Sequence, residues 1–186
     1  MIERTEKMER ADRQQVRRGH LQNNIALTSK PYTGYAEVNL FKARMKRAQR
    51  GMKDRSPMLV IVGPSMFGKS AFARSLYNSP HAVSCQGVAE PNLSGLDSEK
   101  HNCVIMEEID VNVVTNNKEL FQRYSNGMRL KQSKTGVFSE WYYLHGIPFV
   151  GTTNQWPESR KDAPQHWDWL QANIIVLGLT EKTWVE

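Results

Sequence analysis

Met58-Leu-Val-Ile-Val-Gly-Pro-Ser-Met-Phe-Gly-Lys-Ser70 decides how the rest of the chain is read. An apolar run of strand character enters a turn with the spacing GxxxxGKS, and Ala71-Phe-Ala-Arg-Ser-Leu-Tyr77 continues as a helix. The pattern predicts a phosphate-binding loop made of Gly63, Pro64, Ser65, Met66, Phe67, Gly68, Lys69 and Ser70. Its backbone N–H groups wrap a polyphosphate only if the turn is tight, and Gly63 and Gly68 permit backbone angles that a Cβ disfavours. Lys69 is expected to meet the β and γ phosphates of ATP as a point charge, and Ser70 to ligate Mg²⁺. The positive end of the following helix is expected to face the same anion.

Working outward, Cys103-Val-Ile-Met-Glu-Glu-Ile-Asp110 is a second apolar strand, and it ends in acids about forty residues after the loop. One carboxylate there suits the Mg²⁺ shell and the next suits the attacking water, giving Glu107 to the metal and Glu108 to the water, with Asp110 as a substitute. Ile147-Pro-Phe-Val-Gly-Thr-Thr-Asn154 is a third strand. Its terminal Asn154 suits the γ-phosphate or the water, although an Asn closing a strand also makes ordinary turns. Between them, Met128–Gln132 and Val137–Tyr143 flank Ser133-Lys-Thr-Gly136, which predicts a β-hairpin with Lys134 at its tip. His81–Cys85 and Asn173–Gly178 read as further short strands, and Asn117–Tyr124 as a helix.

Charge divides the chain. Met1 to Ser56 holds 14 Lys and Arg against 6 Asp and Glu, whereas the remainder holds 11 against 13. The basic character therefore belongs to an arm, residues 1–56, expected to be disordered or loosely helical and followed by a folded domain over residues 57–186. Within the arm, Lys42–Lys53 has cations spread around any helix it forms and suits nonspecific phosphate binding. The first residues lack a signal peptide's apolar core, and no apolar run approaches the ~20 residues of a membrane span. An intracellular chain without membrane contact is expected, nuclear if the host is eukaryotic, with the cytoplasm as the alternative. Cys85 and Cys103, despite His81 and His101 nearby, match no familiar metal spacing and read as buried, reduced thiols. His20-Leu-Gln22 has the form of a nuclease metal motif, but Tyr32 and Tyr35 lack the Lys three residues on, so His20 is read as coincidence.

GPSMFGKS, VIMEEID, a lysine-tipped hairpin and FVGTTN occur in the order seen in superfamily 3 helicases. From Ser56 to Glu186 the chain resembles the ATPase half of replication-associated proteins of small circular single-stranded DNA viruses, or their virus-derived cellular relatives. The resemblance implies an α/β P-loop NTPase fold: a parallel sheet of about five strands, with the loop strand internal, helices on both faces and an inserted β-hairpin. It implies ATP hydrolysis with Mg²⁺ by Lys69, Glu107, Glu108 and Asn154, and translocation on single-stranded nucleic acid, DNA before RNA, gripped by Lys134. It also implies a homo-oligomeric ring, commonly a hexamer, with nucleotide between subunits. One departure matters. The relatives carry an Arg pair before the last strand as a finger toward the neighbour's phosphate, and this chain reads Trp169-Leu-Gln-Ala-Asn173 there. Arg160 is a replacement candidate; without a finger the alternative is a nucleotide-binding assembly module with little turnover.

Overall fold

The computed structural model describes residues 35–51, 55–123, 128–131 and 139–183. Lys134, His20 and the first 34 residues of the arm lie outside that set. Helix α1 (Ala36–Gln49) leads into β1 (Met58–Val62), α2 (Lys69–Ser75), β2 (Pro80–Ser84), β3 (Cys103–Glu107), α3 (Val111–Asn116) and α4 (Lys118–Gln122). The strands β4 (Met128–Lys131) and β5 (Ser139–Tyr142) follow, then β6 (Phe149–Thr153), α5 (Trp167–Asn173) and β7 (Ile174–Gly178).

Five strands form one sheet in the order β2-β3-β6-β1-β7, and every pairing in it is parallel. Parallel strands buried on both faces need apolar side chains at every position rather than at alternate ones. β1, MLVIV, meets that demand and lies between β6 and β7, with Met58 level with both Phe149 and Ile174. β2 lies at one edge and is only half-buried.

The pleat sends alternate residues to two separate cores. Leu59, Ile61, Ile105, Val150 and Leu177 pack with α1 and with Phe72 of α2 on one face. Met58, Val60, Val104, Met106 and Phe149 pack with Val113, Val114, Leu120, Phe121 and Leu170 of α3, α4 and α5 on the other. β4 and β5 stand apart as an antiparallel pair, Met128 opposite Tyr142 and Lys131 opposite Ser139. The turn joining them falls outside the described residues.

Helix α1 differs from the expected loose arm. Val38, Phe41, Met45 and Ala48, spaced by three and four residues, form one buried stripe against the sheet. Apart from Leu40, the large apolar residues of the helix all lie in this stripe, so the helix is held by packing that its overall charge conceals. Arg44 also donates to the Ala172 carbonyl at 3.0 Å, and Gln49 Nε2 to the Gly146 carbonyl at 2.8 Å.

At the opposite end of the strands from the loop, Arg123 leaves α4 with φ 46° and is buried. One guanidinium nitrogen donates to the carbonyls of Ser56 and Pro57, both at 2.6 Å, and the cation lies 4.4 Å from the centre of the Phe149 ring. It fixes the entry to β1. Burial pulls its pKa down to about 9.

Candidate nucleotide site

Parallel α/β sheets bind ligands beyond the carboxyl ends of their strands, where successive connections leave in opposite directions. Here the chain leaves β1 toward β2 at one edge, and leaves β6 toward β7 at the other. The segments following β1, β3 and β6 carry the residues singled out from the sequence.

Gly63 begins the loop under close packing. Its N–H donates to the Thr153 carbonyl at 3.3 Å, and a Cβ there would lie 3.2 Å from both Cβ and O of Leu179. Pro64, Ser65 and Met66 are exposed, and Met66 turns through φ 66°. Left-handed backbone is uncommon for a residue with a long side chain and marks a segment held by its surroundings. The hold comes from the far end of the loop, where the Phe67 carbonyl accepts from Thr183 N–H at 3.1 Å and from Thr183 Oγ1 at 3.0 Å. Gly68, with φ 80°, then turns the chain into α2.

Lys69 is buried, yet its ammonium is not isolated. Nζ donates to the Pro64 carbonyl at 2.9 Å and to Asn154 Oδ1 at 2.8 Å. Burial lowers its pKa, and the nearby Glu108 carboxylate partly offsets that. Lys69 and Asn154 thus meet from the segments that follow β1 and β6, and Glu108, directly after β3, is near enough for its charge to act on Lys69. Glu108 reaches its place through a left-handed turn, φ 55°, directly after β3.

The two other acids are already engaged. Glu107 Oε1 accepts from Arg74 of α2 at 2.7 Å, a half-buried ion pair. Asp110 Oδ1 accepts from Asn112 N–H at 2.6 Å and caps α3. Ser70 lies half-buried in the first turn of α2. Arg160 is paired with Asp168. The Arg74 and Thr183 contacts were not read from the sequence; nothing local to either residue signals a partner so distant along the chain.

Among the described residues no group of three or more His, Cys, Asp or Glu is placed to hold a metal. Mg²⁺ carried with a nucleotide needs no such group, because this ion takes one or two protein oxygens and completes its shell with phosphates and water. The Ser70 hydroxyl and the carboxylates of Glu107 and Glu108, at the end of β3, are oxygens of the kind it takes. Cys85 and Cys103 are free and buried, and burial pushes the Cys85 thiol up to about 12. No known protein family matches the chain, and no curated protein matches it either.

Proposed function

We propose that the 63–70 loop binds ATP with Mg²⁺ and that the chain hydrolyses it as the motor of a superfamily 3-type helicase working on single-stranded nucleic acid. The observation that carries the reading is the bridge from Lys69 to Asn154 and the Pro64 carbonyl, with the charge of Glu108 acting on the same lysine. A lysine buried in a glycine-bounded loop and held by two neutral oxygens is a cation stored for an anion. A polyphosphate would take over the ammonium and release Asn154 Oδ1 to orient a water.

In the proposed reaction, the water oxygen bonds to the γ-phosphorus as the β–γ bridging bond breaks, and Glu108 accepts the water's proton. Bound Mg²⁺ supplies neutralisation of the charge gathering on the phosphate oxygens. Lys69 and the loop N–H groups hold the phosphates in line. Steady-state hydrolysis, measured with and without single-stranded DNA or RNA, tests this. Lys69→Ala and Glu108→Gln should each lower turnover about 100-fold or more, the range a positioned acid–base group supplies. Turnover unchanged in both variants would overturn the assignment.

A second reading has its own observation. Glu107 is engaged by Arg74, and the segment before β7 offers Gln171 and Ala172 where a finger would stand. Nucleotide bound tightly but turned over hardly at all, with or without nucleic acid, would select the assembly module.

A further inference from the structure

We propose that the outward face of α1 docks the phosphate backbone of a nucleic acid without regard to sequence. The buried stripe of Val38, Phe41, Met45 and Ala48 fixes the rotation of the helix. Lys42, Lys46 and Arg50 are thereby left exposed at successive intervals of four residues, with Arg47 exposed beside them. At ~1.5 Å of rise per residue, the three cations of that row span about 12 Å on one line of the surface.

Like charges four residues apart destabilise a helix, and acids usually relieve them. Here the helix has one acid, Glu37 in its first turn. Among the described residues, Lys42, Lys46 and Arg50 make no ion pair. The helix dipole favours cations in the last turn, which accounts for Lys46 and Arg47. It does not account for Lys42 or for the missing acids. A row of unrelieved cations on a helix anchored by packing is an electrostatic cost that a polyanion removes.

The chemistry of the face selects the polyanion. A membrane-surface helix inserts an apolar side, and the apolar side of α1 is spent on the core; Leu40 is its one large exposed apolar residue. Hot spots of protein interfaces are enriched in Trp, Tyr and Arg, and this face carries no aromatic residue to anchor one. Small or polar residues flank the cations, Asn39 before Lys42 and Ala43 between Lys42 and Lys46, and leave room for a phosphodiester chain. The proposal shares its class of partner with the proposed function, but it uses none of the nucleotide-site residues and stands without that reading.

The test is fluorescence anisotropy of the full chain with a labelled single-stranded 20-mer and a duplex of equal length, across a range of salt. One variant combines Lys42→Gln, Lys46→Gln and Arg50→Gln, and a control combines Lys100→Gln, Lys161→Gln and Lys182→Gln. The helix variant should bind the single strand at least about tenfold more weakly, and its slope of log affinity against log salt should shrink by ~2, from roughly 0.7 per phosphate contact. The control should stay within about twofold of the native chain. Thermal melting confirms folding, and Lys42→Gln alone, with a slope change of ~0.7, serves if the triple variant is unstable. Turnover of ATP without nucleic acid should be the same in the native chain and the helix variant, so failure of the nucleotide site reads out separately. Equal losses in variant and control, no loss in either, no binding by the native chain, or a preference for phosphatidylserine vesicles over the oligonucleotides would each overturn the proposal.

Discussion

Arg74 stands one helical turn beyond Ser70, so the helix that follows the loop also holds Glu107. If Glu107 serves the Mg²⁺ shell, Arg74 is a positioning residue that sets where its carboxylate points. Supporting partners of this kind are worth roughly 10- to 100-fold in metal affinity or activity. Arg74→Ala should therefore raise the Mg²⁺ concentration for half-maximal turnover about tenfold, with Arg74→Lys recovering part of the loss. A fall in thermal stability with unaltered Mg²⁺ dependence would reduce Arg74 to a structural role. His81 offers a test independent of catalysis. Its ring centre lies 5.0 Å from that of His101, its Nε2 is buried without a hydrogen-bond partner among the described residues, and burial, then His101, lowers its pKa. The folded protein resists a proton that the unfolded chain accepts near ~6.5, so this stability is present above that pH and is lost as pH falls below it. Melting temperatures at pH 7.5 and 5.5 should differ less for His81→Gln than for the native chain.

Among the elements, β6 is the tightest. Gly151 lies level with Val60 on β1 and Met106 on β3. A Cβ at Gly151 would come within 2.6 Å of Met58 Cε and 2.8 Å of Ile109 Cγ2, so both side chains must move in a closed core. Gly151→Ala should cost ~1–3 kcal/mol, seen as a lower urea midpoint at unchanged slope. The glycine in FVGTTN thus has a packing reason, whereas only its place in a strand was legible beforehand. The sheet strands were legible because a buried parallel strand must be apolar throughout, and short runs such as MLVIV and CVIME declare themselves. Helix α1 was not, because 14 residues with four buried positions look like a charged connector until a surface is present to select the face. The loop was legible for a third reason. Its spacing encodes local backbone geometry, and Gly68 needs no distant partner to adopt φ 80°. Arg74, Arg123 and Thr183 depend on the fold for their partners, and those partners cannot be found by periodicity.

For the whole molecule, the proposed reaction calls for one more cation at the phosphate. Transition-state charge on a transferring phosphoryl group is commonly met by an arginine, worth ~10³ to 10⁵ in rate, in addition to the loop lysine. In this chain Arg74 is committed to Glu107, Arg160 to Asp168, and Arg123 lies buried at the far end of the strands. The exposed Arg160–Asp168 pair is worth little by the usual measure of such pairs, so it is the one of these that a neighbouring subunit's nucleotide would readily recruit. If nucleotide sits between subunits, as in the ring that the resemblance implies, turnover per chain should rise with protein concentration and level off once assembly is complete. Arg160→Ala should then lower the plateau at least tenfold while leaving nucleotide affinity within about threefold, the pattern of a group engaged only in the transition state. Mixing Arg160→Ala with Glu108→Gln gives the sharper readout: each variant is slow alone, but a mixed ring joins an intact Glu108 on one subunit to an intact Arg160 on the next. Recovered activity in the mixture assigns the finger to the neighbour. Turnover per chain that is flat across a hundredfold range of concentration, with no recovery on mixing, would make each chain a self-contained site and remove the ring from the mechanism.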